Sequence, residues 1–127
     1  MSDLYVKGTR QSPEVDFRFS ENFLSLKGEA YPENAVAFFT PLTQAAANYL
    51  DASGDVPVTV LLDLRYLNSA STKMLFQFIG VLDKAASTGR TITVEFAYET
   101  DDDMLMEFAE DLKTDFTWIN IELRETA

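Results

Sequence analysis

Val58-Thr59-Val60-Leu61-Leu62-Asp63-Leu64-Arg65-Tyr66-Leu67-Asn68-Ser69-Ala70-Ser71-Thr72-Lys73-Met74-Leu75 contains the change of period that decides the fold. Val58, Val60, Leu62 and Leu64 alternate with Thr59, Leu61, Asp63 and Arg65, the two-residue period of a strand. One face is apolar and the other mixed, as expected near the centre of a sheet. Beyond it, Leu75, Phe78, Ile79, Leu82 and Ala86 fall on one stripe of a helix. Asn68 or Ser69 can cap the start of that helix, and Gly89 can end it.

The same logic extends outward. Ile92, Val94, Phe96 and Tyr98 alternate with Thr91, Thr93, Glu95 and Ala97 as a further strand. Asp101-Asp102-Asp103 opens a third helix, because carboxylates favour the positive end of the helix dipole, and Leu105, Phe108, Ala109 and Leu112 form its inward side. Ile119, Ile121 and Leu123 alternate as a terminal strand. Upstream, Val36, Phe39, Leu42, Ala46, Tyr49 and Leu50 recur at helical spacing. Pro41 lacks an N–H and clashes with the preceding turn, so the pattern predicts a break near Phe39. Thr40-Pro41 would then start the main helix, which runs to about Asp51 before Ser53-Gly54-Asp55. Nearer the N-terminus, Val15, Phe17 and Phe19 alternate with polar residues, Ser20-Glu21-Asn22 is a turn, and Phe23–Lys27 resumes extended structure. Leu4-Tyr5-Val6 adds a short edge strand. The order is β-β-β-α-β-α-β-α-β, which predicts a single α/β domain over residues 1–127. Its sheet is mixed, and its roughly three helices pack mainly on one face.

Composition narrows the chemistry. Ten Phe, five Tyr and one Trp among 127 residues, with 46% hydrophobic residues, supply a genuine core. Without cysteine there is no thiolate nucleophile or thiolate metal site, and without histidine the commonest general base and metal ligand are missing. A net charge of −11 argues against nucleic acid and anionic membrane as partners. Eleven acidic and two basic residues lie between Glu95 and Ala127, so most of that charge sits in the last quarter. It reads as a solvated helix face or as an acidic surface for a basic partner. With no signal-peptide pattern and no apolar run near the roughly 20 residues that span a bilayer, the chain is expected to be cytoplasmic.

Function concentrates in the link between the central strand and its helix. Past the carboxyl ends of parallel strands, open α/β sheets gather ligands and chemistry. Ser69, Ser71 and Thr72 follow Asn68 there, and four small polar side chains exceed what one cap requires. They read as capping with solvent exposure or as a phosphoacceptor site. A phosphoryl group would add about −1.5 to −2 charges beside helix N–H groups that stabilise anions. Trp118 reads as core, with a partner anchor as the alternative.

Four blocks in order along the chain carry a family resemblance. They are Gly8-Thr9 with Ser12-Pro13-Glu14-Val15, Gly28-Glu29-Ala30-Tyr31-Pro32-Glu33-Asn34, Tyr66-Leu67-Asn68-Ser69-Ala70-Ser71-Thr72-Lys73, and Tyr98-Glu99 followed by Asp101-Asp102-Asp103. Together they resemble the SiaC family of bacterial regulatory phosphoproteins. The resemblance implies a STAS-like domain and a partner-switching cycle. In that cycle a serine/threonine kinase of the anti-sigma type adds a phosphate and a PP2C-type phosphatase removes it. The unphosphorylated form is then expected to bind and activate a diguanylate cyclase in c-di-GMP and biofilm control. The family acceptor is usually a Thr directly after Asn, which corresponds to Ser69. The usual next residue, Ser, is Ala70 here, so Ser71 and Thr72 stay open as acceptors. The binding surface implied comprises Tyr31, Pro32, Asn34, Asn68, Ser69, Ala70, Ser71, Thr72 and Lys73, though Tyr31, Pro32 and Asn34 could equally fix the start of the first helix.

No cofactor, metal or catalytic residue is expected. Asp63, Glu95 and Glu99 are acids on strands, but alternation puts them on a solvated face without His, Cys or a phosphate loop. A phosphoaspartate receiver built on Asp63 lacks the earlier acidic pair and a late lysine. An anti-sigma-factor antagonist, with an anti-sigma kinase as partner, is the alternative that shares the same switch.

Overall fold

In the computed structural model, which describes residues 2–126, the period-two segments become six strands of one sheet. They are β1 (Leu4–Val6), β2 (Glu14–Arg18), β3 (Phe23–Ala30), β4 (Val58–Leu67), β5 (Ile92–Glu99) and β6 (Asn120–Thr126), side by side in sequence order. The first two pairings are antiparallel and the last three parallel. Parallel neighbours need crossovers, and α1 (Ala35–Ala52), α2 (Ser69–Ala86) and α3 (Asp103–Asp115) supply them. Every crossover steps the same way across the sheet, so a common right hand puts all three helices on one face. The mixed sheet and the single domain are as the sequence predicts.

Register lines up the buried face. Val15 pairs with Leu26, Leu26 with Leu62, Leu62 with Phe96 and Phe96 with Leu123. Val15, Leu26, Leu62 and Phe96 are fully or almost fully buried. Phe78 of α2 stacks on Phe17 at 5.8 Å, and Phe108 of α3 meets Phe96 at 5.8 Å, which ties the helices to the sheet. The other face carries charge. Arg18 pairs with Asp16 at 3.1 Å, Arg65 with Glu99 at 2.7 Å and Asp63 at 3.5 Å, and Arg124 with Glu95 at 2.6 Å. Half-exposed pairs of this kind contribute about 0–1 kcal/mol each, so they keep the face in water more than they stabilise it.

Two expectations are corrected. α1 starts at Ala35, six residues before Pro41, and runs through the proline without the break predicted near Phe39. Pro41 deprives the Ala37 carbonyl of its donor, but both residues are exposed, so water can replace the bond. Ala35, Phe39 and Leu42 are buried on either side of it, and their packing holds the helix together. Trp118 is 62% exposed rather than core. Asp83 Oδ1 accepts both the Trp118 and Ile119 N–H groups, at 2.8 and 3.0 Å. That grip seats Ile119 inside and leaves the indole in solvent.

Candidate functional site

The carboxyl ends of β3, β4 and β5 feed the three helix starts, each capped by a side chain. Asn34 accepts from the Ala37 N–H at 3.0 Å, Asn68 from Ser71 at 2.8 Å and Asp102 from Leu105 at 3.0 Å. Gly28 lies at φ 122°, and the β3–β4 register slips between Gly28 and Glu29. This irregularity resets the pairing to Glu29–Tyr66 and Ala30–Leu67 and so fixes where the two strands release their loops.

Asn68 closes the corner. Its N–H donates to the Ala30 carbonyl at 3.1 Å, and its own carbonyl accepts from the Thr72 N–H at 2.9 Å and the Thr72 hydroxyl at 3.0 Å. The β3 and β4 exits are thereby locked together, and the Tyr31 ring meets the Tyr66 ring edge-on at 5.7 Å. Tyr31 and Pro32 are half-buried, and the Tyr31 N–H is held by the Gln11 carbonyl at 2.7 Å. Asn34 has a structural task as the α1 cap. We expect Asn68→Ala to destabilise the protein by about 1 kcal/mol, the usual cost of an N-cap. In a chain of this size that lowers the melting temperature by roughly 3–5 °C. A shift below 1 °C in a thermal denaturation series would show that the cap bond contributes nothing.

The three hydroxyls of the segment have different surroundings. Ser69, the first residue of α2, is exposed, as are Ala70 and Lys73. Thr72 is half-buried with its hydroxyl committed to Asn68. Ser71 is 0% exposed, and its Oγ has no hydrogen-bond partner among the described residues. As a surface contact Ser71 is therefore corrected: it lies under the helix start. At the exposed turn, the Asn68 side chain occupies the Ser71 N–H, while the first-turn N–H groups of Ser69 and Ala70 have no partner within the helix. Lys73, one turn on, shares the helix face of Ser69. An anion carried on the Ser69 oxygen would meet open N–H groups, the positive helix end and an ammonium.

Beside this turn runs a shallow groove of about 260 Å³ between α2 and α3, lined by Leu67, Thr72, Met104, Leu105, Phe108 and the carboxylates Glu107 and Asp111. Composition flagged the acidity of this region but not the groove. The signal was Met104, an exposed apolar residue outside the inward stripe of α3. Among the described residues, no cluster of His, Cys, Asp and Glu could hold a metal ion, and no helix is long and apolar enough to cross a membrane.

With this geometry in place, the relatives are informative. A family model described as SiaC family regulatory phosphoprotein matches residues 6–126. An uncharacterized protein of Pseudomonas aeruginosa (strain UCBPP-PA14) is 30% identical over 115 residues, covering 91% of this chain and 90% of that protein. SiaC of Pseudomonas aeruginosa superposes with a TM-score of 0.90 at 28% identity, over 99% of this chain and 100% of that one. A chain in the crystal structure of the Pseudomonas aeruginosa diguanylate cyclase SiaD in complex with its activator SiaC gives 0.90 at 27% identity, over 98% and 100%. Fold and matches define the class, a small α/β regulatory protein. Within that class, the chain belongs to the SiaC family of regulatory phosphoproteins.

Proposed function

We propose that this protein is a non-enzymatic activator of a diguanylate cyclase, switched off by phosphorylation of Ser69. The observation that carries the reading is the near-complete superposition, over 98% of the chain, on a chain from a complex between such a cyclase and its activator. Ser69 is favoured over Ser71 and Thr72 because it alone of the three is exposed. In the unphosphorylated form, the turn from Ser69 to Lys73 and the neighbouring Tyr31-Pro32 element offer the partner a small, neutral-to-cationic surface. A phosphoryl group adds about −1.5 to −2 charges there, and the open N–H groups and Lys73 hold it against the helix. The fold survives, and the docking surface changes sign. A serine/threonine kinase of the anti-sigma type installs the group, a PP2C-type phosphatase hydrolyses it, and the cycle runs in the cytoplasm.

The experiment is intact-mass spectrometry of the chain after incubation with ATP and the host's anti-sigma-type kinase. One phosphoryl group should appear on wild type and on Ser71→Ala, and none on Ser69→Ala. Full labelling of folded Ser69→Ala would end the assignment of Ser69, and an unlabelled wild type would end the phosphorylation reading.

A further inference from the structure

Two strands end the sheet. β1 offers three residues, whereas β6 offers seven without a proline. Monomeric proteins blunt long edges with proline, bulges or inward-pointing charge, because unpaired N–H and C=O groups template another strand. Here the outward groups can be identified. The Thr126 carbonyl accepts from the Thr100 N–H at 2.9 Å, so Thr126 and, by alternation, Arg124, Glu122 and Asn120 turn their backbone groups toward β5. Ile121, Leu123 and Glu125 turn theirs outward.

We propose that this edge pairs with a second copy of the chain, β6 antiparallel to β6 about a two-fold axis at Leu123. The side chains select both partner and register. Centred on Leu123, that residue exchanges hydrogen bonds with its counterpart, Ile121 pairs with Glu125, and Glu122 stands opposite Arg124 on both sides of the axis. Centring on Glu122 or Arg124 opposes like charges, and centring on Ile121 leaves Arg124 facing Trp118. Opposite charges directly across an antiparallel pair attract and like charges repel, at Cα separations of about 4.5 Å for the pair that makes no backbone bonds. Arg124 already touches Glu95, while the ion pairs among the described residues leave Glu122 without a cation. The two-fold supplies that cation. On the helix side, half-buried Leu123 meets its counterpart and half-buried Ile121 lies diagonally across from the other copy's Leu123, which continues the apolar layer across the axis. Exposed Trp118 and the groove lined by Phe116, Ile119 and Ile121 flank the seam. A net charge of −11 on each copy opposes approach, so the pairing is weak.

Sedimentation velocity on the full chain over a concentration series tests this, with circular dichroism confirming that each variant folds. Wild type should shift from monomer to dimer. Glu122→Arg should weaken the dimer by about tenfold or more, and adding Arg124→Glu should bring it back to within about threefold. In that double variant the new cation faces Glu95 across the β5–β6 register, so the protomer keeps its ion pair. Leu123→Pro removes an outward N–H that β5 does not use and should give a monomer. A wild type that stays monomeric up to about 1 mM would overturn the proposal. So would a dimer indifferent to Glu122→Arg and Leu123→Pro, or a charge swap that fails to restore association.

Discussion

Ser69→Asp is expected to weaken binding to the diguanylate cyclase by about 30- to 100-fold, while Ser69→Ala binds as wild type does. The carboxylate stands at the first residue of α2, within reach of open N–H groups, so it is held in place rather than swung away. Misplaced charge across an interface costs a few kcal/mol, and every 1.4 kcal/mol is tenfold in affinity. Folding should change little, because an acid in the first turn of a helix is a favourable neighbour of the dipole. A titration of each purified variant against the cyclase, followed by calorimetry or by cyclase activity, reads the difference directly. Equal affinity of wild type, Ser69→Ala and Ser69→Asp would defeat the switch. Loss of binding in Ser69→Ala would instead make the hydroxyl itself a contact.

Arg90→Ala should destabilise the fold by about 3 kcal/mol, a fall of roughly 10–15 °C in melting temperature for a domain of this size. Arg90 is 5% exposed, and no carboxylate pairs with it among the described residues. Its guanidinium donates to the carbonyls of Leu50, Gly54 and Val56 at 3.0, 2.7 and 2.8 Å and to the Ser53 hydroxyl at 2.7 Å. Those acceptors are the last turn of α1 and the loop after it, the negative end of the helix dipole. The guanidinium also lies 5.7 Å from the centre of the Tyr49 ring. Removing it strands several carbonyls and opens a cavity behind α1. Arg90→Lys should recover less than half of the loss, since one ammonium cannot match a fork that reaches four acceptors. Urea denaturation of the three proteins measures this, and a loss under 1 kcal/mol for Arg90→Ala would show that water replaces the network.

Tyr49 adds a pH dependence at the same corner. Burial pushes its phenol above the ordinary value of 10.0, against a smaller downward pull from Arg90, and the protonated hydroxyl donates to Asn22 Oδ1. A folded pKa above the unfolded one gives stability that is complete below pH 10 and lost as pH rises through the folded value. Tyr49→Phe should remove that component of the alkaline decline.

The legibility of this protein divides along the same lines. Strands β2 to β6 and helices α2 and α3 were readable because their apolar residues repeat with one clean period. The segment from Asn68 to Lys73 could be marked for a similar reason, since small hydroxyls between a strand and a helix are a local pattern, whereas Ser69 among them was singled out by the family resemblance. Pro41 misled, since whether a proline breaks a helix depends on whether its orphaned carbonyl faces water, and that is settled by the packing of Ala35 and Phe39. Trp118 misled too, because Asp83, 35 residues away in sequence, fixes the backbone that aims it outward. Arg90 carried no signal, since its acceptors are carbonyls that every residue owns.

Sequence alone determined the order of elements, the one-sided burial of the sheet and the exclusion of thiol and imidazole chemistry, all properties of residue type and spacing. Only the tertiary structure decided that Ser69 is open while Ser71 is sealed, that Tyr31 meets Tyr66, and that β6 ends as a bare edge. Those outcomes depend on which distant segments share a neighbourhood, and contacts between distant segments leave no period along the chain.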